Sequence, residues 1–141
     1  MNWQEISSTS HHQTAVAVQQ ELREGNLQEA SAGIQELIDA LARSERRALK
    51  SQLIRLMAHV IKWKEQPERQ SRSWAATIHN ARDEIADIQG EIPSLNKSVI
   101  LELWDKCLVA AKREAEAELN RKARVAKLSW KQVFEDPYDI K

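Results

Sequence analysis

The run Ser73-Trp-Ala-Ala-Thr-Ile-His-Asn-Ala-Arg-Asp-Glu-Ile-Ala-Asp-Ile-Gln-Gly90 places Trp74, Ile78, Ala81, Ile85 and Ile88 at intervals of four, three, four and three residues. Apolar side chains repeating at that rhythm share one face of an α-helix, close to a coiled-coil seam, and fall on no single face of a strand. Ser71 or Ser73 supplies the start, since a hydroxyl can accept an amide of the first turn, and Gly90 is a natural stop.

The same logic extends upstream. Leu49, Leu53, Leu56, Met57, Val60 and Trp63 keep one apolar face until Gln66-Pro67, where proline disfavours helical backbone in the residue before it, so this helix stops near Glu65. Leu27, Ala30, Ile34, Leu37, Ile38 and Leu41 predict a helix over roughly 27–42. Ser44 either caps a new helix or lies within a continuous, kinked one. Ser10-His-His-Gln13 has capping-box spacing and Gly25 is a stop, which predicts a helix over 13–24 behind a polar, mobile lead at residues 1–12.

Downstream, Pro93 and Ser94 open a long helix with Leu95, Val99, Leu103, Cys107, Ala110 and Ala111 on one face, weakening over the charged 112–124 stretch. Ser129-Trp-Lys-Gln132 is a further capping-box spacing, and Asp136-Pro137 closes a short C-terminal helix within 129–138. The whole reads as an all-α, single-domain antiparallel bundle of four to five helices spanning residues 1–141, with a short helix at its end.

Composition narrows the function classes. Three Gly and three Pro in 141 residues are too few for the frequent turns of an all-β fold, and no two glycines lie close enough for a phosphate-cradling loop. The longest apolar run, residues 107–111, is five residues against the ~20 that a membrane span needs. A start without basic and apolar signal character, and a single cysteine, point to the cytoplasm. No Cys-x-x-Cys, His-Glu-x-x-His or Glu-x-x-His occurs, so neither metal nor cofactor is expected.

Net charge is zero, yet residues 41–73 hold nine basic and three acidic side chains, whereas residues 1–40 hold one and six. That basic block is either complementary packing between helices or an anion-binding surface.

The run Ser44-Glu-Arg-Arg-Ala-Leu49, the string Leu56-Met-Ala-His-Val-Ile-Lys-Trp-Lys-Glu-Gln-Pro-Glu68, Ser71-Arg-Ser-Trp-Ala-Ala-Thr-Ile78 and the Pro-Ser-Leu opening at 93–95 resemble the bacterial family known as domain of unknown function 29. The resemblance runs from about residue 13 to 138. It implies a small, all-helical, mostly single-domain protein with no established activity. The chain departs from the family's pattern at its front, where an aromatic-rich helix is usual, and over 120–128, where a Gly-Pro turn is usual.

Within the basic block, Arg55, His59, Lys62 and Gln66 recur at four, three and four residues, forming one polar stripe. The following turn adds Arg69, Ser71, Arg72, Ser73 and the first amides of the next helix, a favourable place for phosphate or carboxylate. Trp63 and Trp74 bracket the turn, either as stacking surfaces or as core. His59 and His79 are weak catalytic candidates, His79 with Asp83 one turn on and Arg82 beside it, in a manner similar to helical ribonucleases if the two imidazoles met. Cys107 reads as a buried small hydrophobe.

Missing catalytic signatures favour a non-catalytic interaction module that binds a protein partner or a second copy, in a regulatory or toxin–antitoxin-like pair, with Trp3, Trp104 or Trp130 as anchors. The alternative is RNA or DNA binding by residues 41–73, extending to ribonuclease action.

Overall fold

The computed structural model describes residues 1–140, and all regular structure among them is helical. The all-α bundle expected from the periodicity is the architecture observed. By internal packing the chain divides into two compact units, Met1–Arg47 and a second from Ala48 onward.

The first unit contains α1 (Trp3–Thr9), α2 (His11–Arg23) and the N-terminal half of α3 (Leu27–Glu65). Residues 1–12, expected as a mobile lead ahead of the first helix, hold α1 and the first two residues of α2. The Asn2 side chain caps α1 by accepting the Glu5 amide at 3.2 Å. What holds so short a helix is tertiary: the Trp3 indole is 6% exposed and donates to the Glu29 carboxylate at 3.0 Å. Trp3 is therefore a core residue and no partner anchor.

Gly33 makes this packing possible. A Cβ there would stand 2.7 Å from the Trp3 ring and 2.6 Å from Val18 Cγ2, closer than packed carbons tolerate. Ser10 serves two helices at once, its amide donating to Ile6 at the end of α1 and its hydroxyl accepting from Gln13 at the start of α2. Gly25, at φ +79°, ends α2 as expected.

The alternatives at Ser44 resolve to one continuous helix, and α3 ends at Glu65 before Pro67, as the proline predicts. In the second unit, the C-terminal half of α3 packs with α4 (Arg72–Glu91) and α5 (Lys97–Leu119). Leu49, Leu53, Leu56, Met57, Val60 and Ile61 meet Ile78, Ala81, Ile85, Ile100, Cys107 and Ala111, all at 1% exposure or less. Ser71 caps α4 through the Trp74 amide. The long helix expected to open at Pro93 begins at Lys97, because Asn96 takes the cap and accepts the Val99 amide.

Past Asn120, which ends α5 in the left-handed conformation at φ 57°, the chain returns without regular structure to one π-helical turn, Lys131–Glu135. The predicted capping box forms reciprocally there: Ser129 Oγ accepts the Gln132 amide at 3.1 Å, and Gln132 Oε1 accepts the Ser129 amide at 2.8 Å. The C-terminal helix is thus one turn long, with Val133 and Tyr138 buried against the core of the second unit.

Candidate functional site

The polar stripe on α3 forms, but most of it turns inward. Lys62 is 5% exposed, donates to the Glu118 carboxylate on α5 at 2.6 Å and sits 5.4 Å over the Trp74 ring. Its charge is met within the second unit, so it is withdrawn from anion binding.

His59 Nδ1 lies 2.9 Å from the Arg55 carbonyl and Nε2 lies 3.4 Å from the Lys62 ammonium. An ammonium only donates, so Nε2 must accept and Nδ1 carries the proton. Burial pushes the imidazole below its ordinary value, opposed by the Arg55 carbonyl and reinforced by the Lys62 charge. Burial and the Lys62 ammonium thus disfavour the imidazolium, the form from which a general acid delivers its proton.

Gln66 is half-buried, and the α3–α4 turn is fastened by its neighbour Gln70, whose amide donates to the Trp63 carbonyl at 3.0 Å. Ser71 spends its hydroxyl on the Trp74 amide. Arg55, Arg69, Arg72 and Ser73 remain exposed. Of the eight expected binding residues, these four present themselves to solvent and the other four are buried or half-buried. Trp63 is core, edge-on to Tyr138 at 5.7 Å, and Trp74 is half-buried beneath Lys62.

The second catalytic candidate has a different neighbourhood. His79 faces Asp139 at 3.2 Å, a residue 60 positions away, rather than Asp83. Arg82 donates through Nε to the Val133 carbonyl and through a terminal nitrogen to the Asp136 carbonyl, both at 2.9 Å, while stacking 5.3 Å from the Tyr138 ring. It clamps the C-terminal segment and is unavailable to stabilise phosphate. Burial also pushes the Tyr138 hydroxyl up to about 12. His59 bonds within α3, to Arg55 and Lys62, and His79 bonds to Asp139, so each imidazole has its own partners.

Glu65, which sequence reasoning left aside, is the most heavily engaged carboxylate. Its side chain, 4% exposed, accepts the amides of Arg124 and Val125 and the Arg121 guanidinium. Burial pushes this carboxyl up, but those donors outweigh it and hold it below the usual range. Glu65 thereby fixes the return loop against the end of α3.

Trp104 and Trp130, expected as anchors, are half-buried and stack on each other at 5.8 Å, with Phe134 against Trp130 and the Lys97 ammonium over it. Among the described residues no three His, Cys, Asp or Glu side chains are grouped to hold a metal, and no helix is long and apolar enough to cross a membrane. Burial pushes the Cys107 thiol up, as befits a core cysteine.

An apolar feature of the first unit has no internal partner. Leu27, Ile34, Ile38 and Leu41 of α3 are 68%, 42%, 52% and 40% exposed, whereas Ala30, Gly33 and Ala40 of the same helix are buried. Spacings of seven, four and three put the four large side chains on one face. The periodicity predicted a helix over these residues, and the helix forms with this face exposed.

The model of the family described as Domain of unknown function DUF29 matches residues 11–138, nearly the whole chain. The protein belongs to the DUF29 family. No curated protein and no solved structure matches it. The DUF29 span starts at the first residue of α2, so α1, with the buried Trp3, precedes it. The family's description assigns no activity, and the reading of function rests on the geometry of this DUF29 chain.

Proposed function

We propose that this DUF29 protein is a non-catalytic interaction module whose exposed apolar row on α3 docks a protein partner, in the manner of one member of a regulatory or toxin–antitoxin-like pair working in the cytoplasm. The observation that carries the reading is the exposed row Leu27, Ile34, Ile38 and Leu41 on one helix face. Such rows are a common way for an amphipathic helix to receive a partner helix, read at i, i+4 and i+7. The polar side chains that had suggested chemistry support the same reading, because Lys62, Ser71, Arg82 and His79 are engaged within the fold.

The test is light scattering after size exclusion, on full-length protein taken from its native host, for wild type and for an Ile34→Glu/Ile38→Glu variant. The reading expects a complex of defined mass that the variant loses while its melting temperature stays put, since both positions are exposed. A wild type that is strictly monomeric, or a variant that keeps the complex, overturns it. The mass also separates a second copy from a different polypeptide.

RNA or DNA binding keeps one supporting observation, the exposed guanidinium groups of Arg55, Arg69 and Arg72. It expects a salt-sensitive nucleic-acid signal in the purified complex, weakened by neutral substitutions at the three together.

A further inference from the structure

The first unit carries a cleft of about 360 Å³, between the α1–α2 junction and one face of α3. Ala40, Arg43, Ser44 and Arg47 form the α3 wall, at the three- and four-residue spacing that aligns side chains on one face. Residues 7–11 form the opposite wall. No Asp or Glu lines the space.

Arg43 and Arg47 are exposed, one helical turn apart, and neither has a hydrogen-bond or ion-pair partner among the described residues. Like charges at that spacing repel and destabilise a helix when nothing neutralises them. Arginine forks match the oxygens of a phosphate or carboxylate in pairs, and two of them match the charge of a phosphate monoester better than that of one carboxylate.

The facing wall adds the complementary half. Ser8 and Thr9 hydroxyls donate to the Glu5 carbonyl at 2.9 Å, and Ser7 donates to Gln4 at 3.2 Å. Their protons are committed to α1, so the lone pairs left over can only accept. A ligand that fills the cleft therefore needs an anionic head for the guanidinium groups and donating hydroxyls for the serines and threonine. The volume lies at the lower end of the roughly 300–1,000 Å³ of small-molecule sites, which suits a sugar-sized body.

We propose that this cleft binds the phosphate monoester of a small hydroxylated molecule of the sugar-phosphate class, with Arg43 and Arg47 on the phosphate and Ser7, Ser8 and Thr9 on the hydroxyls. The site is separate from the apolar row Leu27, Ile34, Ile38 and Leu41, and the two proposals stand or fall independently. Residues 7–10 precede the span matched by the family.

The experiment is an NMR titration of the full-length, isotope-labelled chain with ribose 5-phosphate at constant ionic strength, alongside ribose, sodium sulfate and a single-stranded oligonucleotide. Saturable shifts are expected at the amides of residues 8–12 and at the Nε–H groups of Arg43 and Arg47. Affinity is expected to fall about tenfold for each guanidinium removed, read from Arg43→Gln, Arg47→Gln and their combination. Both side chains are exposed, so the melting temperature should hold. If it does not, the charge-preserving Arg43→Lys/Arg47→Lys variant replaces the combination, with weakened binding still expected because the forks are gone. The proposal is overturned by the absence of saturation, by equal shifts from ribose or sulfate, by variants that bind as wild type, or by an oligonucleotide that binds where ribose 5-phosphate does not.

Discussion

Replacing Glu65 tests whether one carboxylate fixes the return loop of the second unit. Its side chain is 4% exposed and accepts two backbone amides and one guanidinium, all from residues 121–125. Glu65→Ala removes every one of these acceptors. The Val125 amide belongs to a half-buried residue and is left without a partner, at about 1–2 kcal/mol. Arg124 is exposed and its amide rehydrates, while the Arg121 side chain is 39% exposed, so solvent screens its ion pair to about 0.5 kcal/mol. The expected loss is about 1.5–2.5 kcal/mol in all, against about 1 kcal/mol for Glu65→Gln, which keeps an acceptor oxygen but not the charge.

Urea denaturation at neutral pH measures both differences. The pH dependence supplies a second handle, because the carboxyl is held below its ordinary 4.5 in the fold. Above that pH both states are ionised and the stabilisation is complete. As pH falls, the unfolded chain takes up the proton first, and stability drains away until the folded carboxyl is protonated as well. The gap between wild type and Glu65→Gln must therefore narrow below about pH 4.5. A loss under about 0.5 kcal/mol for Glu65→Ala, within the scatter of ordinary surface changes, or a gap indifferent to acid, refutes the reasoning.

Three further outcomes follow from the same geometry. Lys62→Met is expected to cost under about 1 kcal/mol in urea melts, since methionine fills the space beside Trp74 and Glu118, 60% exposed, returns to water; Glu118→Ala strands a buried ammonium and costs about 2–3 kcal/mol, and equal effects contradict the assignment. NMR titration of His59 is expected to give a midpoint below 6.5 with the proton on Nδ1, and stability should decline as pH falls from 6.5 through that midpoint; a midpoint at or above 6.5 removes the neutral histidine. Gly33→Ala gains helix propensity of about 1 kcal/mol but drives a Cβ into Trp3 and Val18, so a red shift of tryptophan emission and a net loss of about 1–2 kcal/mol are expected, whereas a stabilised variant contradicts the packing.

What the sequence made legible was local. Ser10, Ser71 and Ser129 each act within three residues of themselves, and each caps where its spacing indicates. The α4 rhythm was legible because its apolar face is matched by a core, with Ile78, Ala81 and Ile85 at 1% exposure or less. Periodicity says which residues share a face and nothing about what that face meets. Hence Leu27, Ile34, Ile38 and Leu41 mark a helix face that proves to be exposed, while the polar Arg55-to-Gln66 stripe read as a surface although Lys62 finds Glu118 56 positions away. The helix α1 escaped because its stability comes from Trp3 seated on Gly33 and bonded to Glu29, 26 residues on, and seven residues carry no helical signal of their own.

The two units differ in what their polar and apolar groups are left to do. In the second, Glu65, Lys62 and Arg82 are turned inward and close the fold on itself. The first has a core cluster of only Trp3, Val18 and Ala30, yet exposes seven large apolar side chains, four of them on one face of α3, and leaves Arg43 and Arg47 without partners. So small a cluster offsets little of the entropy lost by ordering its helices. Whatever binds a folded unit and not its unfolded form adds stability in proportion to the logarithm of its occupancy, and the effect is largest to observe where intrinsic stability is least. Hydrogen exchange is therefore expected to be faster in α1 and α2 than in α4 and α5, and to slow selectively in the first unit when a partner or ligand is bound. Uniform protection along the chain, or protection on binding confined to the second unit, would place the functional surface with the exposed Arg55, Arg69 and Arg72 instead.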